Sequence, residues 1–205
     1  MATIANLSTY ARGYFKGNSD LLSTNEVAIA QEVQNYVSTY YPWKWTKTAG
    51  TNVAVSQSTQ EYNLAAANQD RVYRITEAWL LSGSTDQFPL IVFDNPPVPT
   101  TDTEARPWAV SVITEDRVRL YPNPDAAYTF SFYFHDMGAL FTANTESYAA
   151  PGYFDEAIKA VTLWKWAEFM DWTLGPDVDK LKQEADRRLE QQRLNELRRL
   201  HQARD

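Results

Sequence analysis

The sequence predicts an α+β protein: a helical bundle formed by N- and C-terminal helices, residues 1–42 plus 145–205, with an antiparallel β-sandwich or barrel inserted at 43–144. Two observations carry this. Apolar residues recur at helical spacing towards both ends and at a period of two between them. The middle third is broken by turn-forming clusters at Gly50, Asn68–Asp70 and Ser82–Asp86, the rhythm of several short strands.

The first helix is predicted over 4–15, where Ile4, Leu7, Ala11 and Tyr14 share a face and Gly13 and Gly17 weaken the end. Ser23 followed by Glu26 reads as a capping box, and Ile29, Val33, Tyr36, Val37 and Tyr40 form the stripe of a second helix. Pro42 ends it near Tyr41, because the residue before a proline is driven out of α geometry. From Trp43 to Ala49 the period changes to two, and short strands follow at 60–64, 71–81, 88–93 and 108–113. Trp43 and Trp45 are the predicted anchors of the helix-to-sheet junction. The stretch from Asp116 to Phe134 reads as a β-hairpin. Val118 and Leu120 share one face of its first arm, Tyr128, Phe130, Phe132 and Phe134 one face of its second, and Pro122 and Pro124 lie in the turn. The proline-rich run from Asp94 to Pro107 is expected to be an extended surface loop, and Gly138 to Ala150 a polar connector.

Pro151, Asp155 and Glu156 mark the start of a third long helix, with acids where the helix dipole favours them. It is apolar around most of its girth from Phe154 to Leu174, so burial on two sides is expected before Gly175 and Pro176 stop it. The last segment carries a narrow stripe of Val178, Leu181, Ala185, Leu189, Leu194, Leu197 and Leu200 on a charged helix, supported by pairs such as Glu184 with Arg188. At 1.5 Å per residue it would span roughly 40 Å, so its end is expected to project.

Composition narrows the function. With no cysteine and only His135 and His201, neither a disulfide framework nor a thiolate or histidine zinc site is expected. No run of 18 apolar residues and no signal-peptide layout occurs, so neither a membrane partner nor an export signal is expected. The net charge of −7 is uneven: residues 177–205 hold 8 Lys and Arg against 7 Asp and Glu, leaving 11 against 19 in residues 1–176. An acidic body argues against wrapping contact with nucleic acid, though not against DNA passing nearby.

No Walker or dinucleotide glycine loop, GxSxG, HExxH or EF-hand spacing is present, so no enzyme, catalytic residue, cofactor or metal is expected. Glu115 with Asp116, and Asp155 with Glu156, are read as structural acids, and His135 beside Asp136 as a hydrogen-bonded histidine at a strand end. Seven tryptophans suggest a carbohydrate-binding module as an alternative from another class, although Trp43, Trp45, Trp164 and Trp166 fall in or beside packed elements.

The run VQNYVSTYYPWKWTKTAGTNVAVSQSTQEYNLAAANQDRVYRITEAWL resembles the head-to-tail adaptor (connector) proteins of tailed bacteriophages, including tail tubular proteins of short-tailed phages. In that family a helix ends at an aromatic W-x-W segment. A strand, a break, a tyrosine-leucine strand (here Tyr62 and Leu64) and an arginine-led strand (here Arg71 to Ile75) follow. RLYPNPDAAYTFSFYF is similar to the family's proline-turn hairpin, and the Pro151 helix with its charged successor to its C-terminal pair; the loop from Asp94 to Pro107 has no counterpart. The resemblance implies a dodecameric homo-oligomeric ring, assembled in the host cytoplasm and placed in the virion neck beneath the portal protein. Such a ring extends or closes the DNA channel, lets genomic DNA pass without sequence-specific binding, and offers a platform to a tail or nozzle protein. Another neck or tail-completion protein is the nearest alternative. The resemblance also makes the end of the last helix the candidate for portal docking, with Arg193, Leu194, Leu197, Arg198, Arg199, Leu200 and Arg204 as its residues.

Overall fold

The computed structural model describes residues 3–15, 25–64, 71–83, 86–93, 103–170 and 178–202. They form a mixed α+β chain of four helices and a curled mixed sheet, a half-barrel. Two compact units result: residues 1–45 with 138–205, and residues 46–137.

The first unit holds α1 (Ile4–Tyr14), α2 (Glu26–Tyr40), α3 (Asp155–Phe169) and α4 (Val178–Gln202). Thr3 caps α1 by accepting the Asn6 N–H at 3.2 Å. For α2 the predicted capping box rests on Ser23, outside the described residues. Glu26 itself is buried, and its carboxylate pairs with the Arg12 guanidinium of α1. Ile29, Val33 and Val37 of α2 pack with Ile4, Leu7 and Ala11 of α1 and with α3 in one core. In α3, Ile158, Val161, Leu163, Trp164 and Trp166 are all buried, so the helix is covered on more than one side. Phe169, expected inside, is 45 % exposed at the last residue of α3; Trp172 and Leu174 lie outside the described residues.

The second unit is one eight-stranded sheet rather than two stacked ones. Its strands are β1 (Lys47–Ala49), β2 (Val53–Val55), β3 (Glu61–Asn63), β4 (Val72–Ser82), β5 (Asp86–Phe93), β6 (Ala109–Thr114), β7 (Arg117–Tyr121) and β8 (Tyr128–Asp136). Their order is β1-β8-β4-β5-β6-β7-β3, with β2 also paired to β8. The sheet is not purely antiparallel, because β5 and β6 run parallel, Ile91 facing Ala109. Of the proline-rich run expected to be an extended surface loop, residues 94–102 lie outside the described residues. Phe130, Phe132 and Phe134 of β8, Val118 and Leu120 of β7, and Leu80, Ile75 and Leu90 all face one core.

The predicted hairpin of Asp116 to Phe134 is corrected by this order: β7 pairs with β6 and β3, whereas β8 pairs with β1, β2 and β4. The two arms present the predicted faces to the same core without touching as a ladder. Pro122 and Pro124 have no N–H to close a turn, and the carbonyls of Asn123 and Pro124 instead accept Ala105 N–H at 2.9 Å and Ser58 N–H at 2.8 Å. The true hairpin partner of β7 is β6, through the turn at Glu115 and Asp116, where Asp116 accepts the Thr114 hydroxyl at 2.6 Å. His135 is buried, with Thr46 Oγ1 hydrogen-bonded to its Nδ1 at 2.7 Å.

Candidate partner-docking site

The predicted strand from Trp43 begins only at Lys47; Lys44–Thr46 is a 3-10 turn. Pro42 sends Tyr41 into extended geometry (φ −152°, ψ 147°), and the Trp43 N–H returns to the Tyr41 carbonyl at 2.7 Å. This reversal points both indoles back at the helices. Trp43 is fully buried, donates to the Val37 carbonyl at 2.6 Å and meets Phe154 edge-on at 4.8 Å. Trp45 meets the same Phe154 at 5.6 Å but is only half-buried, and its indole N–H has no hydrogen-bond partner among the described residues.

Across this junction lies α4. Its first half packs through Val178, Ala185 and Leu189, and Asp186 Oδ1 accepts the Tyr36 hydroxyl at 2.5 Å. Burial, and then the Asp186 carboxylate, push the Tyr36 phenol well above its ordinary range. The second half does not stand clear of its unit, as the projecting-helix expectation had it. Gln192 donates to the Tyr153 carbonyl at 3.1 Å, and Glu196 Oε1 accepts the Lys44 N–H at 2.7 Å. The Arg193 guanidinium sits 5.8 Å from the Tyr41 ring centre and that of Arg199 4.6 Å from the Tyr153 ring centre. These contacts are made by the polar side chains of the helix end, Gln192, Arg193, Glu196 and Arg199, rather than by its leucines.

Lys44, Trp45, Tyr153, Glu196, Arg199 and Leu200 together line an open groove of about 450 Å³. Trp45, predicted as a junction anchor, and Arg199 and Leu200, predicted as docking residues, are thus brought to one place. Lys44, Tyr153 and Glu196 were not legible as site residues, since no spacing connects a turn, a 3-10 segment and a helix end.

Charge along α4 is graded. Arg187 and Arg188 both bind Glu184 at 2.7 Å and hold its carboxyl down at about 2; Arg193 binds Glu190 and lowers it too. Arg198 and Arg199 have no carboxylate partner among the described residues. Leu194 and Leu200 are 43 % and 44 % exposed, Leu197 is half-buried, and Arg204 lies outside the described residues. Among the described residues the helix thus ends in cations without a carboxylate partner beside exposed leucines.

Elsewhere, Trp108 is the exposed tryptophan among the described residues. Its ring neighbours stand across it, Phe93 at 74° and Tyr121 at 87°, rather than flat beside it. Among the described residues no cluster of His, Asp and Glu is placed to hold a metal ion, and no helix is long and apolar enough to cross a membrane. No protein-family model matches the chain, and no curated protein sequence matches it.

Proposed function

We propose that this chain is a structural, non-enzymatic head-to-tail adaptor of a bacteriophage virion, forming a ring below the portal that extends or closes the DNA channel and carries the tail. The observation that supports it best is the end of α4, where Arg198 and Arg199 have no carboxylate partner among the described residues and Leu194 and Leu200 are exposed, although every described arginine before them on that helix is paired. Planar guanidinium forks beside apolar side chains suit an acidic protein surface. The acidic remainder of the chain suits DNA that passes without binding. In this reading the four helices work as one bundle, and the curled sheet is an incompletely closed barrel inserted into it.

The carbohydrate-binding alternative draws less support. Sugar binding by stacking favours a planar cluster of exposed indoles, whereas among the described tryptophans Trp108 alone is exposed. The experiment is co-purification with portal particles from the same virus, comparing the full chain with one ending at Leu189. The adaptor reading expects the full chain on the portal and the shortened one in the unbound fraction; a shortened chain that attaches normally removes α4 from the contact.

A further inference from the structure

The sheet turns one face to its core and the other outward, and the outward face is aromatic where β5, β6 and β7 meet. Ile91 and Phe93 alternate along β5 with Leu90 and Val92, which pack in the core, and both are exposed. Tyr121 lies on the same outward side, since Ile91 faces Ala109 and Ala109 faces Tyr121 in the strand register. The exposed Trp108 ring joins them, 6.5 Å from that of Phe93 and 5.3 Å from that of Tyr121. The outward row of β7 continues through Arg119, held by Glu61 at 3.1 Å, to Arg117, which makes no ion pair among the described residues.

The helical unit carries a second uncharged aromatic face. Ile4, Leu7 and Ala11 turn α1 towards its core, which leaves Asn6, Thr9, Tyr10, Gly13 and Tyr14 exposed on the other side. At Gly13 an added Cβ would meet nothing within 4 Å, so the helix backbone lies open beside both tyrosine rings. Lys159 of α3 borders Tyr10, 5.8 Å from its ring centre, and is held by Glu156 at 2.7 Å. Asp155, one turn before Lys159, makes no ion pair among the described residues.

These features select a second copy of the chain as the occupant. At a net charge of −7 two copies repel one another over most of their surface, and least where neither side is charged. A cationic partner would settle first on the carboxylates elsewhere. Sheet against sheet would gather arginines from both copies, and α1 against α1 would gather acids, whereas sheet against helix offers Arg117 of one copy the Asp155 of the next. We propose that the face of Ile91, Phe93, Trp108 and Tyr121 docks on the Tyr10 and Tyr14 face of a second copy, a head-to-tail contact between unlike surfaces. The proposal deepens the ring part of the adaptor reading, rests on it for self-association, and is tested without portal.

Sedimentation velocity of the full chain follows the parent, Ile91→Asp, Tyr10→Asp and a one-to-one mixture of the two variants. Both side chains are exposed, and thermal melts check folding; Phe93→Asp and Tyr14→Asp form a second pair should either of the first unfold. The parent is expected to self-associate, and each variant alone to need about thirtyfold more protein to do so, the scale of one central interface residue. The mixture is expected to give a particle of two chains, one of each variant, because Ile91→Asp keeps its α1 face and Tyr10→Asp keeps its sheet face. That particle has no intact face left with which to grow. A parent that stays monomeric up to its solubility limit, variants that assemble as the parent does, a loss confined to one variant, or a mixture that stays monomeric would each overturn the proposal. A parent that assembles through other faces leaves the adaptor reading standing, and particles that assemble as expected yet leave portal bare remove the adaptor reading alone.

Discussion

The main-chain N–H of Lys44 donates to the Glu196 carboxylate at 2.7 Å, across 152 residues of sequence. That bond fastens the second half of α4 to the turn that follows α2, and it turns a polar helix end that would fray alone into part of a folded unit. Glu196→Ala is expected to lower stability by about 1–2 kcal/mol. It should also speed amide exchange over residues 192–200 while leaving α3 protected. Unchanged exchange at the helix end would show that the bond does not hold it.

The two junction tryptophans are not equivalent. Trp43 has no exposed surface and gives its N–H to Val37, whereas Trp45 borders the groove and its N–H has no partner among the described residues. Trp43→Ala is expected to cost about 3–5 kcal/mol in urea unfolding. Trp45→Ala is expected to cost less than half of that. Equal losses would mean that the burial difference carries no energy.

Gly50 is a packing glycine. A Cβ there would fall 2.6 Å from the Phe132 ring, which is itself buried and stacked on Phe130 at 4.8 Å, so the ring cannot retreat. Gly50→Ala is expected to destabilise by about 1–3 kcal/mol through overpacking. A variant that melts with the parent would place the aromatic row elsewhere.

Two groups set opposite pH edges. The Glu184 carboxyl is depressed to about 2 by its hydrogen bonds to Arg187 and Arg188, so its stabilising effect is present above the ordinary carboxylate range and is lost as pH falls towards 2. The Tyr36 phenol is raised, first by burial and then by Asp186, so its effect is complete below about pH 10 and is lost as pH rises beyond. Melting temperature against pH is expected to separate Glu184→Gln from the parent at neutral pH and to bring them together near pH 2. Tyr36→Phe is expected to flatten the alkaline edge; parallel curves throughout would contradict both assignments.

What was legible in the residues was facing rather than pairing. The alternation that sends Val118, Leu120, Phe130, Phe132 and Phe134 inward is local, and all five lie in one core. Which strands meet is not local. Two consecutive runs with a proline turn between them read as a hairpin, yet β7 finds β6 and β3, and β8 finds β1, β2 and β4, because the carbonyls of the proline segment bind Ser58 and Ala105. At the site, the arginine-rich end of α4 and the aromatic pair Trp43 and Trp45 stood out by composition. Their meeting did not, since it depends on Glu196 capturing a main-chain N–H of Lys44, an interaction with no side-chain signature on one of its two sides.

Electron microscopy of the full chain, alone and after mixing with phage portal particles, decides the proposed adaptor role. Closed rings of this chain, seated on one face of the portal and coaxial with its channel, are expected. Monomers in both preparations, with bare portals beside them, would contradict that role.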